Sequence, residues 1–250
     1  MTRPAALRPV LWQLGLVAVA VLLLEGAVRG RWVNPLFLAP PSLAGQVLWE
    51  ELVSGRVLAL VLVTVAEIGV ALLAAVSVGL VAGFLLWRYR ALGAAYEPLL
   101  GAVFASPIIL LYPVALVIFG RTSAAVVVVS AVFGLIPVAL NTRTAFAHVS
   151  PVLVRVGSSM SLTRRQMFRH ILVPAAAPTV FSGFRLSLTY ILKSVLGLEY
   201  VIQVGGLGRW VSDAAYRFAI PEVYAGVLGT LLLSVLFVVA INRGERWVRG

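Results

Sequence analysis

The chain contains six long apolar runs separated by shorter polar segments. A helix of about 20 apolar residues is long enough to cross a hydrocarbon core of about 30 Å. Because a backbone in lipid must satisfy its own hydrogen bonds, such runs fold as α-helices. The sequence therefore predicts an all-α, polytopic membrane protein with six transmembrane helices. The predicted spans cover residues 10–28, 58–87, 99–119, 124–141, 179–202 and 222–241.

The composition agrees with a membrane protein. Of the 250 residues, 61% are hydrophobic and 12% are charged, whereas a soluble domain is about half apolar and about a quarter charged. The net charge of +11 does not indicate a nucleic-acid-binding protein, because the cations are scattered between apolar runs. The absence of cysteine excludes disulfides and thiolate metal sites. With no repeat or linker, residues 1–250 are predicted to form a single transmembrane domain.

The first apolar run has a competing interpretation as a signal peptide. The apolar region of a signal peptide is about 7 to 15 residues long, whereas this run is longer and contains Trp12 and Gln13. We therefore predict a retained helix. After it, Pro40-Pro41-Ser42 is predicted to start a short helix at the membrane surface, with an apolar face formed by Leu43, Val47, Leu48 and Leu52.

The second and third runs contain residues that shape helix packing. Gly69, Gly79 and Gly83 lie in the second run and offer small surfaces for close contact with another helix. Pro107 and Pro113 lie in the third run, where they are expected to kink it.

A polar loop, residues 143–178, separates the two apolar halves. Ser150 followed by Pro151 has the pattern of an N-cap with proline at the first helical position. Thr163 and Gln166 have the spacing of a capping box. Two short helices are therefore predicted, and Pro174 is expected to stop or kink the second. The loop combines arginines with apolar residues, which is typical of a docking surface and also of an ordinary cytoplasmic loop.

The distribution of arginines predicts the orientation in the membrane. If the amino end is cytoplasmic, twelve arginines lie in cytoplasmic segments and six in outer segments, which agrees with the positive-inside rule. The cytoplasmic set is Arg3, Arg8, Arg88, Arg90, Arg143, Arg155, Arg164, Arg165, Arg169, Arg243, Arg246 and Arg249. The outer set is Arg29, Arg31, Arg56, Arg121, Arg209 and Arg217. Both ends of the chain and the polar loop are thus predicted to be cytoplasmic.

Glu67, Arg185 and Lys193 lie away from the ends of their predicted spans, where a charge costs about 3 kcal/mol on insertion scales. Lys193 follows Arg185 by two helical turns and shares its face, and Glu67 is the best candidate partner for either cation. The charges are predicted either to form a buried ion pair or to line a substrate path. The candidate path residues are Glu67, Ser106, Tyr112, Arg185, Thr189 and Lys193.

The sequence lacks the motifs of a catalytic chain. There is no GxxxxGK[ST] phosphate-binding loop, and the only lysine, Lys193, lies in an apolar run. His148 and His170 have no metal-ligand spacing. We therefore predict a chain without enzymatic activity, metal or bound cofactor.

The segment SPVLVRVGSSMSLTRRQMFRHILVPAAAP resembles the cytoplasmic loop of ABC importer permeases. That loop has the pattern Glu-Ala-Ala, three residues, Gly, nine residues and Ile-x-Leu-Pro. Aligning its Ile with Ile171 places its Leu-Pro on Val173-Pro174, its Gly on Ser161 and its Glu-Ala-Ala on Arg155-Val156-Gly157. The segments APPSLAGQVLWEELVSG, YEPLL, ASPIILLYPVALVIFG and GGLGRWVSDA are also similar, in the same order. The whole resembles the subfamily for nitrate, taurine, alkanesulfonates and pyrimidine precursors.

This resemblance implies the type I ABC importer permease fold and a multi-pass subunit of the bacterial inner membrane. The implied partners are an ABC ATPase dimer that binds ATP and Mg, a second permease subunit and an extracytoplasmic substrate-binding protein. The second permease is expected to be an identical copy, because homodimers are common in this subfamily. The implied coupling residues are Val152, Leu153, Arg155, Val156, Gly157, Ser161, Arg164, Ile171 and Pro174.

Two departures from the family pattern leave alternatives open. Arg155 reverses the charge of the family's Glu, and Ser161 lacks the free access of Gly to positive φ. Either the cognate ATPase carries a compensating acid, or this chain is the weaker-coupled half of a heterodimer. A second function class, an ATP-independent secondary carrier or channel, would show inverted repeats or ionisable relays in the spans. A scaffold that does not transport is a third.

Overall fold

The computed structural model describes residues 7–34 and 37–249. These residues form helices joined by short turns, with no strand among them. The helices are α1 (Leu7–Arg29), α2 (Pro41–Val53), α3 (Arg56–Arg88), α4 (Arg90–Ala105), a 3-10 helix (Ile108–Leu111), α5 (Tyr112–Phe119), α6 (Ser123–Ala147), α7 (Pro151–Ser159), α8 (Arg164–Met167), a π-helical turn (Phe168–Leu172), α9 (Val173–Ile202), α10 (Gly206–Tyr216) and α11 (Ile220–Arg249).

Helices α3, α6 and α9 form the centre of the bundle. Ile68 of α3, Val126 of α6 and Ile191 of α9 belong to one buried apolar cluster. A second cluster joins α10 to α2, α3 and α11 through residues such as Trp210 and Leu233. Burial of these side chains fixes the positions of the long helices.

Glycines allow α3 and α6 to approach each other closely. A Cβ on Gly79 would lie 2.7 Å from Val138 Cβ, and one on Gly83 would lie 2.6 Å from Thr142 Cβ. Both distances are below van der Waals contact, so only glycine fits. A Cβ on Gly69 would meet nothing within 4 Å. The predicted close contact is confirmed for Gly79 and Gly83, whereas Gly69 has no such neighbour among the described residues.

Four helices in the described part of the chain are long and apolar enough to cross a membrane: Arg56–Arg88, Ser123–Ala147, Arg164–Ile202 and Ile220–Gly244. The predicted count of six is therefore not confirmed. The first predicted span lies within α1 but is not among the four. The third, residues 99–119, is not one continuous helix. Helix α4 ends at Ala105, and the 3-10 helix precedes α5.

The polar loop is shorter and more helical than predicted. Helix α6 continues to Ala147 and includes Arg143, whose Nη1 lies 2.7 Å from Glu97 Oε1. Pro174 does not stop the following helix, since α8, the π-helical turn and α9 run on as one helix. The N–H of Val173 bonds to the carbonyl of Phe168, five residues earlier. This wider turn accommodates the proline ring, which would clash with the preceding turn of a regular helix.

The predicted short helix after Pro40 is confirmed as α2. Its start is fixed by Glu25 of α1, which accepts hydrogen bonds from Ser42 N at 3.0 Å and Ser42 Oγ at 2.6 Å. A carboxylate at a helix N-terminus satisfies its free N–H groups and interacts favourably with its dipole. On the apolar face Leu48 is buried, whereas Leu43 and Leu52 remain exposed.

Candidate coupling surface and polar face

Helix α7 begins where the sequence predicts. The Ser150 side chain accepts a hydrogen bond from Val152 N at 3.3 Å, and Pro151 occupies the first turn. The cap satisfies an N–H that lacks an intrahelical partner, and proline loses nothing at this position. Residues that follow the cap are thereby held at the end of the bundle where α6 finishes.

Four apolar side chains of α7 and its C-cap project into solvent on one side, and we call them the α7 face. They are Val152 (55% exposed), Leu153 (42%), Val156 (49%) and Met160 (67%). Arg155 is also exposed but lies away from the centre of this face. Clustered exposed apolar side chains mark a surface that another molecule covers.

The chain turns after α7 at Ser161, whose φ is +54°. Ser161 N bonds to Ser158 O at 3.0 Å, and Leu162 N bonds to Gly157 O at 3.2 Å. This pair of bonds is a Schellman motif with Ser161 in the left-handed position that glycine normally fills. Ser161 therefore forms the tight turn that the resemblance implies, but without glycine.

Ser161→Gly is expected to stabilise the protein by about 1 kcal/mol, because glycine adopts positive φ without the steric cost that a Cβ brings. The melting temperature in detergent should rise by about 3 °C. Ser159→Gly is the matched control, since Ser159 is the last residue of α7 and gains nothing from positive φ. A Ser161→Gly protein that melts at or below the wild-type temperature would contradict this account.

The α7 helix packs on the helix that follows it. Gly157 is buried, and a Cβ there would lie 2.7 Å from Met167 Cε and 3.4 Å from Ile171 Cγ1. The predicted capping box is present, with Thr163 N donating to Gln166 Oε1 at 2.9 Å. Arg164 follows as the first residue of α8 and is exposed. The two halves of the loop thus form one packed unit.

Aromatic side chains connect this unit to the long helices. Phe168 of the π-helical turn lies 5.5 Å from Phe84 of α3 and 5.9 Å from Phe146 of α6, measured between ring centroids. Trp87 lies 5.1 Å from Phe146. Aromatic pairs at these distances contribute about 1 kcal/mol each beyond their burial. The loop therefore packs directly against α3 and α6 through these rings.

Helix α9 carries a polar, exposed side, and we call its residues Arg185, Thr189 and Lys193 the α9 face. Arg185 and Lys193 are exposed and Thr189 is half-buried. The four-residue spacing places all three on one side of the helix. Lys193 Nζ lies 5.8 Å from the centroid of the Tyr190 ring. The structure thus brings three of the six predicted path residues together.

The other predicted path residues lie elsewhere. The Ser106 hydroxyl bonds to Ala102 O of its own helix at 3.2 Å, and Tyr112 packs against the central apolar cluster. Glu67 is only 4% exposed. Neither of its carboxylate oxygens has a hydrogen-bond partner within the described ranges. The predicted pairing of Glu67 with Arg185 or Lys193 is therefore wrong, because both cations lie on the exposed side of α9.

Sequence reasoning missed the buried polar contacts of α9. Glu199 is fully buried, accepts a hydrogen bond from Thr64 Oγ1 at 2.8 Å and receives another from Gly208 N at 2.8 Å. Ser130 and Ser194 share a hydrogen bond of 2.7 Å between α6 and α9. The sequence signal that could have indicated these contacts is Glu199, an acid near the end of an apolar run, followed by the glycine-rich turn at Gly205-Gly206.

Comparison with known proteins agrees with this geometry. The family model for the binding-protein-dependent transport system inner membrane component matches residues 75–249. The chain is 24% identical over 255 residues to the taurine transport system permease protein TauC of Escherichia coli, covering 96% of this chain and 89% of TauC. It is 26% identical over 171 residues to the nitrate import permease protein NrtB of Synechocystis, covering 66% of this chain and 62% of NrtB.

A third relative is the glycine betaine/proline betaine permease protein ProW of Salmonella typhimurium. It is 29% identical over 175 residues, which are 70% of this chain but only 49% of ProW. Among solved structures, an inward-facing MetNI methionine ABC transporter has a similar fold, with a TM-score of 0.62 and 21% identity over 74% of this chain and 93% of that chain. With more than half of its length matched by the family model, this chain belongs to the family of inner membrane components, or permease subunits, of binding-protein-dependent transport systems.

Proposed function

We propose that this permease subunit serves an ATP-driven importer and that the α7 face docks on a separate ABC ATPase. The observation that carries the proposal is the set of apolar side chains on α7, each about half exposed, at the end of the bundle where α3 and α6 finish. An exposed apolar surface of this kind is suited to docking in an apolar groove of a partner protein. The ATPase, and not this chain, would bind ATP and Mg.

The coupling proposal follows the contacts of the loop. Closure of the ATPase pair would move α7, and Gly157 would pass the displacement to Met167 through their close contact. Phe168 would pass it on to Phe84 and Phe146. Differential docking energy between the two ATPase states then shifts the permease between inward-open and outward-open forms. This scheme places the loop and both ends of the chain in the cytoplasm.

We infer that the transported solute is small and anionic. Lys193 and Arg185 are exposed on α9, and a cation facing hydrocarbon near mid-span would cost about 3 kcal/mol. The α9 face is therefore expected to face a polar path between two permease subunits, where cations guide an anion. The named substrates of TauC and NrtB, taurine and nitrate, both carry an anionic group. An identical copy would supply a second α9 face, and a binding protein would deliver the solute.

Lys193→Met is the test of the path. We expect transport to fall at least tenfold, because loss of about 1.4 kcal/mol of attraction to an anion lowers its occupancy tenfold. Thermal stability should be almost unchanged, since Lys193 is exposed. The complex is purified through a tag on this chain, reconstituted in vesicles with its binding protein, and assayed for ATP-dependent uptake of taurine and nitrate.

Lys193→Arg is the matched control, since it keeps the charge and should retain most of the uptake. Normal uptake by Lys193→Met would contradict the anion path. Uptake that survives without ATP would contradict the ATP-driven importer and favour a carrier. A second, distinct permease in the tagged preparation would contradict the homodimer.

A further inference from the structure

Two buried carboxyl groups meet near the end of the bundle opposite the α7 face. Glu67 of α3 is 4% exposed and Glu199 of α9 is fully buried. The Glu199 carboxyl and the Ser123 hydroxyl, at the start of α6, lie beside the Glu67 carboxyl. A Cβ on Gly205 would lie 3.9 Å from Glu67 Oε1 and 4.0 Å from Ser123 Oγ. Helices α3, α6, α9 and α10 all reach this site, and the proposed transport mechanism makes no use of it.

Glu199 is surrounded by hydrogen-bond donors. Its Oε1 accepts from Thr64 Oγ1 and its Oε2 accepts from Gly208 N, each at 2.8 Å. Leu207 N donates in turn to Thr64 Oγ1 at 2.9 Å. Glu199 therefore caps the N-terminus of α10, where the helix dipole and the free N–H groups favour a negative charge. Each oxygen of the Glu199 carboxyl therefore has a hydrogen-bond donor.

Glu67 has the opposite environment. No hydrogen bond of good geometry reaches either of its oxygens among the described residues, and its polar neighbours are the Ser123 hydroxyl and the Glu199 carboxyl. An ionised carboxyl without partners is costly in a buried site, and an adjacent negative charge raises the cost further. A protonated carboxyl, in contrast, becomes a donor with an acceptor beside it.

No described cation at this end of the bundle bonds to Glu67. Arg121 Nε bonds to Ile202 O at 3.1 Å, and its Nη2 bonds to Gln203 Oε1 at 3.2 Å. Three further arginines of the outer segments have an acidic partner: Arg56 pairs with Glu51, Arg209 with Asp213 and Arg217 with Glu222. Lys193 lies on the exposed side of α9. No described side chain therefore balances a negative charge on the acid pair.

Space at the site restricts what could balance that charge. The turn at Gly206 presses so closely on Glu199 that a Cβ there would overlap the carboxyl group. Thr64 Oγ1 already takes part in two hydrogen bonds, one as donor and one as acceptor. A metal ion needs several free oxygen ligands and room for them, whereas a proton needs neither.

We propose that the Glu67–Glu199 pair is a proton-binding site, in which the two carboxyl groups share one proton through a hydrogen bond between them. This bond ties α3 to the junction of α9 and α10. The bond lies at the end of the bundle opposite the α7 face and holds these helices together there. Glu67 is thereby a positioning residue that holds the glycine-rich turn through Glu199.

Infrared spectroscopy of the purified permease tests the proposal directly. At neutral pH an exposed carboxyl group is ionised, so a buried carboxylic acid gives a C=O stretching band of its own. We expect this band in the wild-type spectrum and its loss in Glu67→Gln. The amide keeps the size and a donor group, so the melting temperature of this variant should change by less than about 2 °C. Glu67→Leu, which has no donor, should melt at a clearly lower temperature than Glu67→Gln.

Glu67→Asp provides an independent variant, because it keeps the acid on a shorter stem and should shift the band without removing it. Identical wild-type and Glu67→Gln spectra in the carboxylic-acid region would overturn the proposal. So would a large loss of stability in Glu67→Gln, which is expected if Glu67 is ionised and balanced by a cation. Neither measurement depends on the transport activity of the permease.

Discussion

Val156→Asp is expected to abolish co-purification of the ATPase with this chain while leaving the protein folded in the membrane. Val156 lies within the α7 face and is 49% exposed, so the substitution is harmless in the free subunit. In the docked complex it would bury an unpaired carboxylate, which costs several kcal/mol. A cost of about 3 kcal/mol weakens association more than a hundredfold. Substrate-stimulated ATP hydrolysis should be lost as well.

Ser158→Asp is the matched control for this experiment. Ser158 is exposed on α7 and, two residues from Val156, points to the opposite side of the helix. It should keep ATPase binding and uptake. The measurements are recovery of the ATPase through a tag on this chain and uptake by reconstituted vesicles. Normal uptake in Val156→Asp, or equal loss in both variants, would contradict docking through the α7 face.

Local signals in the sequence were sufficient to predict the start of each loop helix. The Ser150 cap and the Thr163–Gln166 capping box are both present. Such caps involve residues two or three positions apart, so they depend little on the rest of the fold. The family resemblance and the predominance of helix are also confirmed. The role of the loop in coupling stays a prediction.

Helix continuity was harder to predict. Pro174 should end a regular helix, yet the π-helical turn at Phe168–Leu172 lets the helix continue to Ile202. In the third apolar run, hydropathy suggested one continuous span, whereas the α-helix is interrupted at Ser106-Pro107. Hydropathy measures the affinity of a segment for lipid and carries no information on whether its backbone stays helical.

The charged residues show a further limit of sequence reasoning. Helical spacing correctly placed Arg185 and Lys193 on one side of α9, but it could not tell which side of the helix faces inward. The inward side carries Glu199, whose hydrogen-bond partner Thr64 lies 135 residues away in the chain. Only the packing of α3 against α9 brings these two together. Glu67 therefore meets another acid and not the predicted cation.

The proposed coupling scheme requires α3 and α6 to move as one body, and their glycine contact makes this testable. Gly83→Ala is expected to destabilise the protein by about 3 kcal/mol, because its Cβ would overlap Ala139 O and lie 2.6 Å from Thr142 Cβ. The backbone of α6 cannot give way as a flexible side chain can. The two helices would have to separate, loosening the contacts of Phe84 with Phe146 and Phe168. Uptake should fall more than ATPase binding, since the α7 face is untouched.

Gly69→Ala is the matched control within the same helix, because an added Cβ there meets nothing within 4 Å. It should be neutral or slightly stabilising, since alanine favours a helix more than glycine does. Melting temperatures in detergent and uptake by reconstituted vesicles are measured for both variants. If Gly83→Ala has the same melting temperature as Gly69→Ala and transports normally, the close contact of α3 and α6 is not required for stability or transport. Movement of the loop would then have to reach the substrate path through α9 alone. The loop is joined to α9 by the continuous helix from Arg164 to Ile202.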